Sequence, residues 1–342
     1  MRRWFKRALL GALSSIALVL MSGLVYEQWA RRNVFRRFVP ESELIELDGR
    51  RVHLRCIGEA GPTVLLEAGF GPDGSESWAS LMSDIASVTR VCSYDRAGIL
   101  WSDRGEEPRD ADQIADELHA LLGVASESPP YVMVGHSIGG LLVRVFAARY
   151  QGEVSGFVFV DASHPEQLDR LPPEAMEAEM EALPPPLVLK ALAASGVMRF
   201  ALRFGSDASD GQTQDVTQLL LPRTVPGLLA EVDAMEAIFD QAAQTPNLDS
   251  LPVVVLSAGR LPDPLPPGLD EKIASQTQEV WMVLQRELAA LSSNTDHRII
   301  EQASHYIHHD DPESVLTAIT DVVTAVREGT PVRRTEESGV EN

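Results

Sequence analysis

The feature that most restricts how this chain can fold is a serine set between an apolar strand and a helix. Gly135-His136-Ser137-Ile138-Gly139 follows the run Tyr131-Val132-Met133-Val134 and leads into a helical pattern from Leu141 to Tyr150. A bare G-x-S-x-G arises by chance in about one chain in ten of this length, so the pattern alone decides little. Its position decides more. A chain that passes from strand to helix within two residues forces strained backbone onto the serine and lifts its hydroxyl above the end of the sheet, and the glycines on either side relieve the crowding.

The flanking sequence alternates in the same way. Leu44–Leu47 and Arg51–Cys56 enclose Asp48-Gly49, a two-residue hairpin signal. Apolar runs at Pro62–Glu67, Arg90–Tyr94, Tyr131–Val134, Phe157–Val160 and Val253–Ser257, with a short one at His297–Glu301, are separated by helical patterns. That order predicts an α/β fold with a mostly parallel sheet covered on both faces. From 164 to 247 the alternation stops; this stretch is rich in Met, Leu and Glu, is punctuated by Pro172-Pro173, Pro184-Pro185-Pro186 and Pro222, and reads as an inserted helical lid. The expected organisation is an N-terminal segment 1–40, core 41–163, lid 164–247, core 248–328 and a polar, disordered tail 329–342. A composition of 44% hydrophobic and 23% charged residues excludes a wholly disordered or polytopic membrane protein.

Charge is divided unevenly. Residues 1–40 hold eight Lys/Arg against one acid, Glu27, so the remainder carries the whole net charge of −21 and seven negative charges more. Such a body repels a phosphate backbone, which excludes nucleic acid as its partner. Ala8 to Tyr26 is an uncharged, largely apolar stretch, with Trp4, Phe5, Tyr26 and Trp29 at its ends and arginines beyond both. About twenty such residues suffice to span a bilayer, so the expectation is a single-pass N-terminal anchor through residues 8–26, with the catalytic domain outside the cytoplasm. A cleaved signal peptide and a secreted product is the alternative, although no A-x-A site follows the run.

A serine nucleophile needs a base and an acid that orients it, in the chain order Ser, acid, His for this type of sheet. His297, His305, His308 and His309 lie at or beyond the last strand. His305 sits between that strand and the final helix, so it is the expected base. A metal cluster of His305, His308, His309, Asp310 and Asp311 is the rival reading, but the spacing is not that of a helical H-E-x-x-H site. Cys56 and Cys92 fit no zinc pattern and cannot staple a small disulfide scaffold.

Taken together, Glu67-Ala68-Gly69-Phe70-Gly71, Tyr94-Asp95-Arg96-Ala97-Gly98, Gly135–Gly139 and Ser304-His305 ahead of Pro312 make the chain resemble the α/β-hydrolase superfamily from about Leu44 to Val326. It looks like the esterase and proline-iminopeptidase-like branch with a lid. The resemblance implies an eight-stranded, mostly parallel sheet, an oxyanion hole from the backbone N–H groups of Phe70 and Ile138, and no metal or organic cofactor. It also implies a serine hydrolase that cleaves a small-molecule carboxylic ester, or an amide, through an acyl-enzyme. The sequence departs from the family pattern at Ala68-Gly69, where His-Gly is common, and at Ile99–Ser102. Dehalogenases and epoxide hydrolases of this fold use an aspartate nucleophile, which Ser137 argues against. Aminopeptidase, haloperoxidase and lyase activities share the triad, and a non-catalytic ligand-binding protein is the alternative from another class. For the acid, Asp263 follows the strand where the family usually places it, but one residue late and between prolines; Asp161, at the end of Phe157–Val160, is the favoured choice. In the family's sheet order the strands of Cys56 and Cys92 are neighbours, so these thiols are expected to be close enough to bond.

Overall fold

The computed structural model describes residues 2–37, 43–175, 184–205, 211–265 and 268–333. Eight strands form one sheet: β1 (Glu43–Leu47), β2 (Arg50–Ile57), β3 (Thr63–Glu67), β4 (Val91–Tyr94), β5 (Tyr131–His136), β6 (Val154–Val160), β7 (Val253–Ala258) and β8 (Thr295–Ile300). Their order is β1-β2-β4-β3-β5-β6-β7-β8. β1 and β2 pair antiparallel through the Asp48-Gly49 turn, β2 meets β4 antiparallel, and every later pairing is parallel. The expected α/β architecture is therefore present.

Alternating side chains divide the core into two layers. Val132 and Val134 of β5 face Trp78, Leu81 and Ile85 of the segment entering α2 (Ala79–Val88), and Val315, Ile319 and Val322 of α12 (Pro312–Glu328). Tyr131 and Met133 face the other side, against Ile114 and Leu118 of α3 (Ala111–Val124) and Leu141 and Phe146 of α4 (Gly139–Arg149). A strand buried on both faces reads as a continuous apolar run, and β5 does. Each fully buried side chain of this size contributes about 1.5–3 kcal/mol.

Between β6 and β7 the described chain is helical: α5 (Gln167–Arg170), α6 (Pro186–Ser195), α7 (Val197–Gly205), α8 (Gly211–Asp233) and α9 (Met235–Ala243). Pro222 does not end a helix, as its use as punctuation implied; α8 runs through both Pro222 and Pro226. A proline lacks the N–H that would bond the carbonyl four residues back, so Pro226 releases the carbonyl of Pro222. Arg31 Nη2 donates to that carbonyl at 2.8 Å. After these helices and β7 come α10 (Glu271–Ala289), β8 and α11 (Ile307–Asp310), then α12. At its far end Val332 is buried and its N–H donates to Asn294; the part of the expected tail from 334 lies outside the described residues.

Arg31 belongs to α1 (Arg2–Arg37), where the structure corrects the sequence reading. Among the described residues no helix is long and apolar enough to cross a membrane, so the single-pass anchor over 8–26, and the extracytoplasmic placement built on it, do not stand. The apolar stretch is one part of a longer helix whose later turns belong to the body. Gly23 lies against the Ser195 carbonyl so closely that a Cβ there would sit 2.1 Å from the oxygen. Glu27 is fully buried and joins Arg31 at 2.8 Å and Arg199 of α7 at 2.8 and 3.0 Å, while Ala30 and Val34 are buried beyond it.

Cys56 and Cys92 are opposite each other in the β2–β4 register and form a disulfide. The bond closes a loop with a sequence separation of 36 residues. The Cys56→Ala/Cys92→Ala double variant should lose about 4 kcal/mol of unfolding free energy. Urea denaturation with and without reductant measures this: wild type in reductant should fall to the variant's midpoint, and the variant should not respond.

Candidate active site

Ser137 is the turn between β5 and α4, with φ at 52°, in the left-handed region. The flanking glycines are required by contact. A Cβ on Gly135 would meet the carbonyl group of Gly139 at 2.7 Å, and one on Gly139 would meet the Glu67 and Ala68 carbonyl oxygens at 2.7 and 2.9 Å. The Ser137 N–H donates to Val160 at 3.2 Å, and its carbonyl accepts from Gly140 and Ser163, both at 2.9 Å. Neighbouring backbone thus holds the strained residue.

Asp161 caps the next strand, β6, and is also left-handed, with φ at 41°. Its carboxylate is buried and saturated: Oδ2 lies 2.7 Å from His305 Nδ1, and Oδ1 accepts from the Ala258 N–H at 2.9 Å and from the Trp281 indole at 2.8 Å. Asp263 lies in an exposed turn beyond β7, with no hydrogen bond to His305. Of the two candidate acids, the structure brings only Asp161 to the histidine. Among the described residues no hydrogen bond joins Ser137 Oγ to His305, and the geometry of such a pair commonly tightens only when substrate binds.

The two expected donors are available. Ile138 precedes the first turn of α4, at the positive end of the helix, and Phe70 follows β3; among the described residues neither N–H donates to another protein group. Arg96 fixes the loop that carries Phe70. Its guanidinium donates to the carbonyls of Ala68 at 2.8 Å and Gly69 at 3.0 Å, to Glu67 at 2.8 Å, and to Glu231 of α8 at 2.8 and 2.9 Å. The Tyr94 hydroxyl donates to the other oxygen of Glu67. Burial works against the Arg96 charge, but Glu231 and Glu67 outweigh it and push its pKa well up. For Glu67 burial prevails over Arg96 and raises its pKa.

The family model described as alpha/beta hydrolase fold matches residues 62–213. An uncharacterised Bacillus subtilis protein, YqjL, is 26% identical over 265 residues, covering 78% of this chain and 85% of its own. Haloalkane dehalogenase DatA from Agrobacterium tumefaciens superimposes with a TM-score of 0.57 at 15% identity, over 84% of this chain and 97% of that one. A Pseudomonas aeruginosa protein described as an epoxide hydrolase does so with a TM-score of 0.59 at 20% identity, over 85% and 98%. The fold is that of the α/β hydrolases. Other relatives, 33–37% identical, match over 135–139 residues only, and this chain spans 20–26% of their length.

Within this fold, sequence reasoning missed Arg96 and Trp281. Arg96 stood inside a motif used only as a family mark, and Trp281 fell on the apolar stripe of a helix, where it reads as core. The five residues of the rival metal reading do not converge. Asp310 is held by Ser304 and Arg260, Asp311 caps α12, and His308 is buried against Trp78 with ring centroids 4.6 Å apart. Among the described residues two other groups bring ligand atoms together. In the first, Cys56 and Cys92 near Glu127, the thiols are spent in the disulfide; in the second, His164, Glu166 and Glu287, Arg170 bridges both carboxylates.

His136 donates from Nε2 to the His305 carbonyl at 3.0 Å and packs on His308, with centroids 4.5 Å apart. Burial pushes the pKa of His136 well down and that of His308 to about 3. Both rings are neutral in the folded protein, whereas in the unfolded chain each takes a proton near pH 6.5. Below that pH the unfolded state binds more protons, so stability is whole above about pH 6.5 and falls as the pH drops toward 3. Urea unfolding of wild type and His308→Gln at pH 6.5, 5.5 and 4.5 should show wild type losing about 1.4 kcal/mol more per pH unit. Parallel losses would show that His308 does not titrate this way.

Proposed function

We propose that the protein is a serine hydrolase that cleaves carboxylic esters of small molecules through an acyl-enzyme. Ser137 Oγ attacks the acyl carbon, and its proton passes to His305 Nε2. Asp161 holds the Nδ1 proton, which fixes the tautomer and stabilises the imidazolium. The carbonyl oxygen gains charge and accepts from the Phe70 and Ile138 N–H groups, which among the described residues have no other protein acceptor to give up. The tetrahedral intermediate collapses, and the leaving alkoxide takes the proton from His305. Water, deprotonated by the same ring, then releases the acid and restores Ser137.

The observation that carries this reading is the 2.7 Å contact between Asp161 and His305 Nδ1, made by a carboxylate whose other oxygen is already taken by two donors. It leaves Nε2 as the ring nitrogen free to exchange a proton. Nucleophile chemistry separates this reading from displacement at an sp³ carbon. A carboxylate nucleophile forms an ester that water can cleave, whereas a serine would form an ether that it cannot. A serine that acts as the covalent nucleophile here therefore turns over acyl-type substrates, esters first and amides where the leaving amine can be protonated. A short match, 29% identical over 103 residues, to a bovine (lyso)-N-acylphosphatidylethanolamine lipase agrees with acyl chemistry.

Three variants assayed on p-nitrophenyl esters of increasing chain length test the roles. Ser137→Ala should lower kcat by about 10⁶ and abolish fluorophosphonate labelling. Asp161→Asn should cost about 10⁴ in kcat with KM little changed, since the amide leaves the wrong tautomer in place. Asp263→Asn should match wild type. A collapse of kcat in the Asp263 variant alone would move the acid to that position, and labelling of the Ser137 variant would remove the nucleophile.

A further inference from the structure

A cleft of about 460 Å³ opens where α1, β2, the chain after β4 and α8 meet, and it shares no residue with the candidate catalytic groups. Its lining holds five guanidinium groups, Arg31, Arg32, Arg51, Arg104 and Arg223, and a single carboxylate, Asp103. Asp103 is divided between two of them, at 3.1 Å from Arg51 and 2.9 Å from Arg223. Arg31 pairs with the buried Glu27, and Arg104 stands 3.6 Å from the exposed Glu107. Among the described lining residues and their ion pairs, counting both of those acids still leaves two more cations than anions. Glu27 is moreover shared with Arg199.

This concentration of positive charge belongs to a chain with a net charge of −21. Four separate parts of the sequence supply it, so it is not the by-product of one basic run. Arg223 is mostly buried, and burial, together with Arg51 and Arg31, pulls its pKa down against the pull of Asp103. Like charges held together at a partly buried position are a cost that a bound anion would relieve. Guanidinium forks match a tetrahedral oxyanion two oxygens at a time, and an excess of two charges balances a dianion, where a monocarboxylate would leave it half met.

We propose that this cleft binds a phosphate group, as a free phosphate or pyrophosphate or as the headgroup of an anionic lipid, and that the bound group ties α1 to the lid and the core. Arg32 and Arg104 are exposed and remote in contact from Ser137, His305 and Asp161, so they can be changed without touching the proposed chemistry.

The full-length protein is titrated calorimetrically with inorganic phosphate and with pyrophosphate at low ionic strength, and floated with phosphatidylcholine vesicles with and without phosphatidic acid. Wild type, Arg32→Glu/Arg104→Glu and the milder Arg32→Gln/Arg104→Gln are compared, with ester turnover as the check on folding. Binding of pyrophosphate in solution that weakens about tenfold or more in both variants supports a soluble phosphate source. Binding confined to phosphatidic acid vesicles, and weakened to the same degree, supports a headgroup. Absence of both, or binding equal in wild type and variants, overturns the proposal. Turnover is independent of this readout, so a cleft that binds nothing leaves the proposed esterase unaffected, and an inactive Ser137 hypothesis leaves the cleft open to the same measurement.

Discussion

Arg96 is the point from which the arrangement around Ser137 is set. One buried guanidinium joins the end of β3, the carbonyls of the loop that presents Phe70, and Glu231 on the lid helix α8. Removing a charge of this kind from water costs several kcal/mol, and only a full set of acceptors offsets it. Arg96 has that set, two carboxylates and two carbonyls, so its position is defined to within hydrogen-bond tolerance. The same residue thereby fixes where the Phe70 backbone sits and joins that loop to α8. α8 is fastened nearby at two further points, since the Thr224 hydroxyl accepts from the Leu100 N–H and Arg223 donates to the Ser102 carbonyl.

Parallel pairing does the rest. β5, β6, β7 and β8 are consecutive neighbours, so their carboxyl ends form one row about 4.8 Å apart from strand to strand. Ser137 follows the first and Asp161 the second, Ala258 ends the third, and His305 lies a few residues beyond the fourth. The Asp161 carboxylate can therefore take the Ala258 N–H on one oxygen and the His305 ring on the other without any long excursion of chain. Open α/β sheets place their ligands at this edge for the same reason.

What the sequence made legible follows from periodicity and from local stereochemistry. The elbow could be read because Gly135 and Gly139 are demanded by contacts within a few residues and one adjoining strand. Asp161 could be preferred over Asp263 because it ends a strand directly. The pairing of Cys56 with Cys92 needed the sheet order, which only the resemblance supplied. Glu231, Trp281 and the role of Arg96 were not legible, because each acts through a partner far away in sequence: 135 residues separate Arg96 from Glu231. α1 misled for a related reason. Its apolar run was weighed against a bilayer, while the contacts that seat its later turns, at Gly23, Glu27 and Arg31, lie on lid helices that no local window includes.

Four histidines crowd the region beyond Ser137, and their surroundings sort them. His136 is buried, spends Nε2 on a backbone carbonyl and is held neutral. His308 is buried, among the described residues neither of its nitrogens has a hydrogen-bond partner, and its tilted contact with Trp78 gives it aromatic packing where an imidazolium would need acceptors. His309 follows it on the short α11, with its ring against Tyr306 and His308. His305 alone among them combines a carboxylate on one nitrogen with a ring left partly open to solvent. Of the two neutral rings, His136 packs against His305 with centroids 4.7 Å apart, so it adds bulk beside that ring without adding a second positive charge.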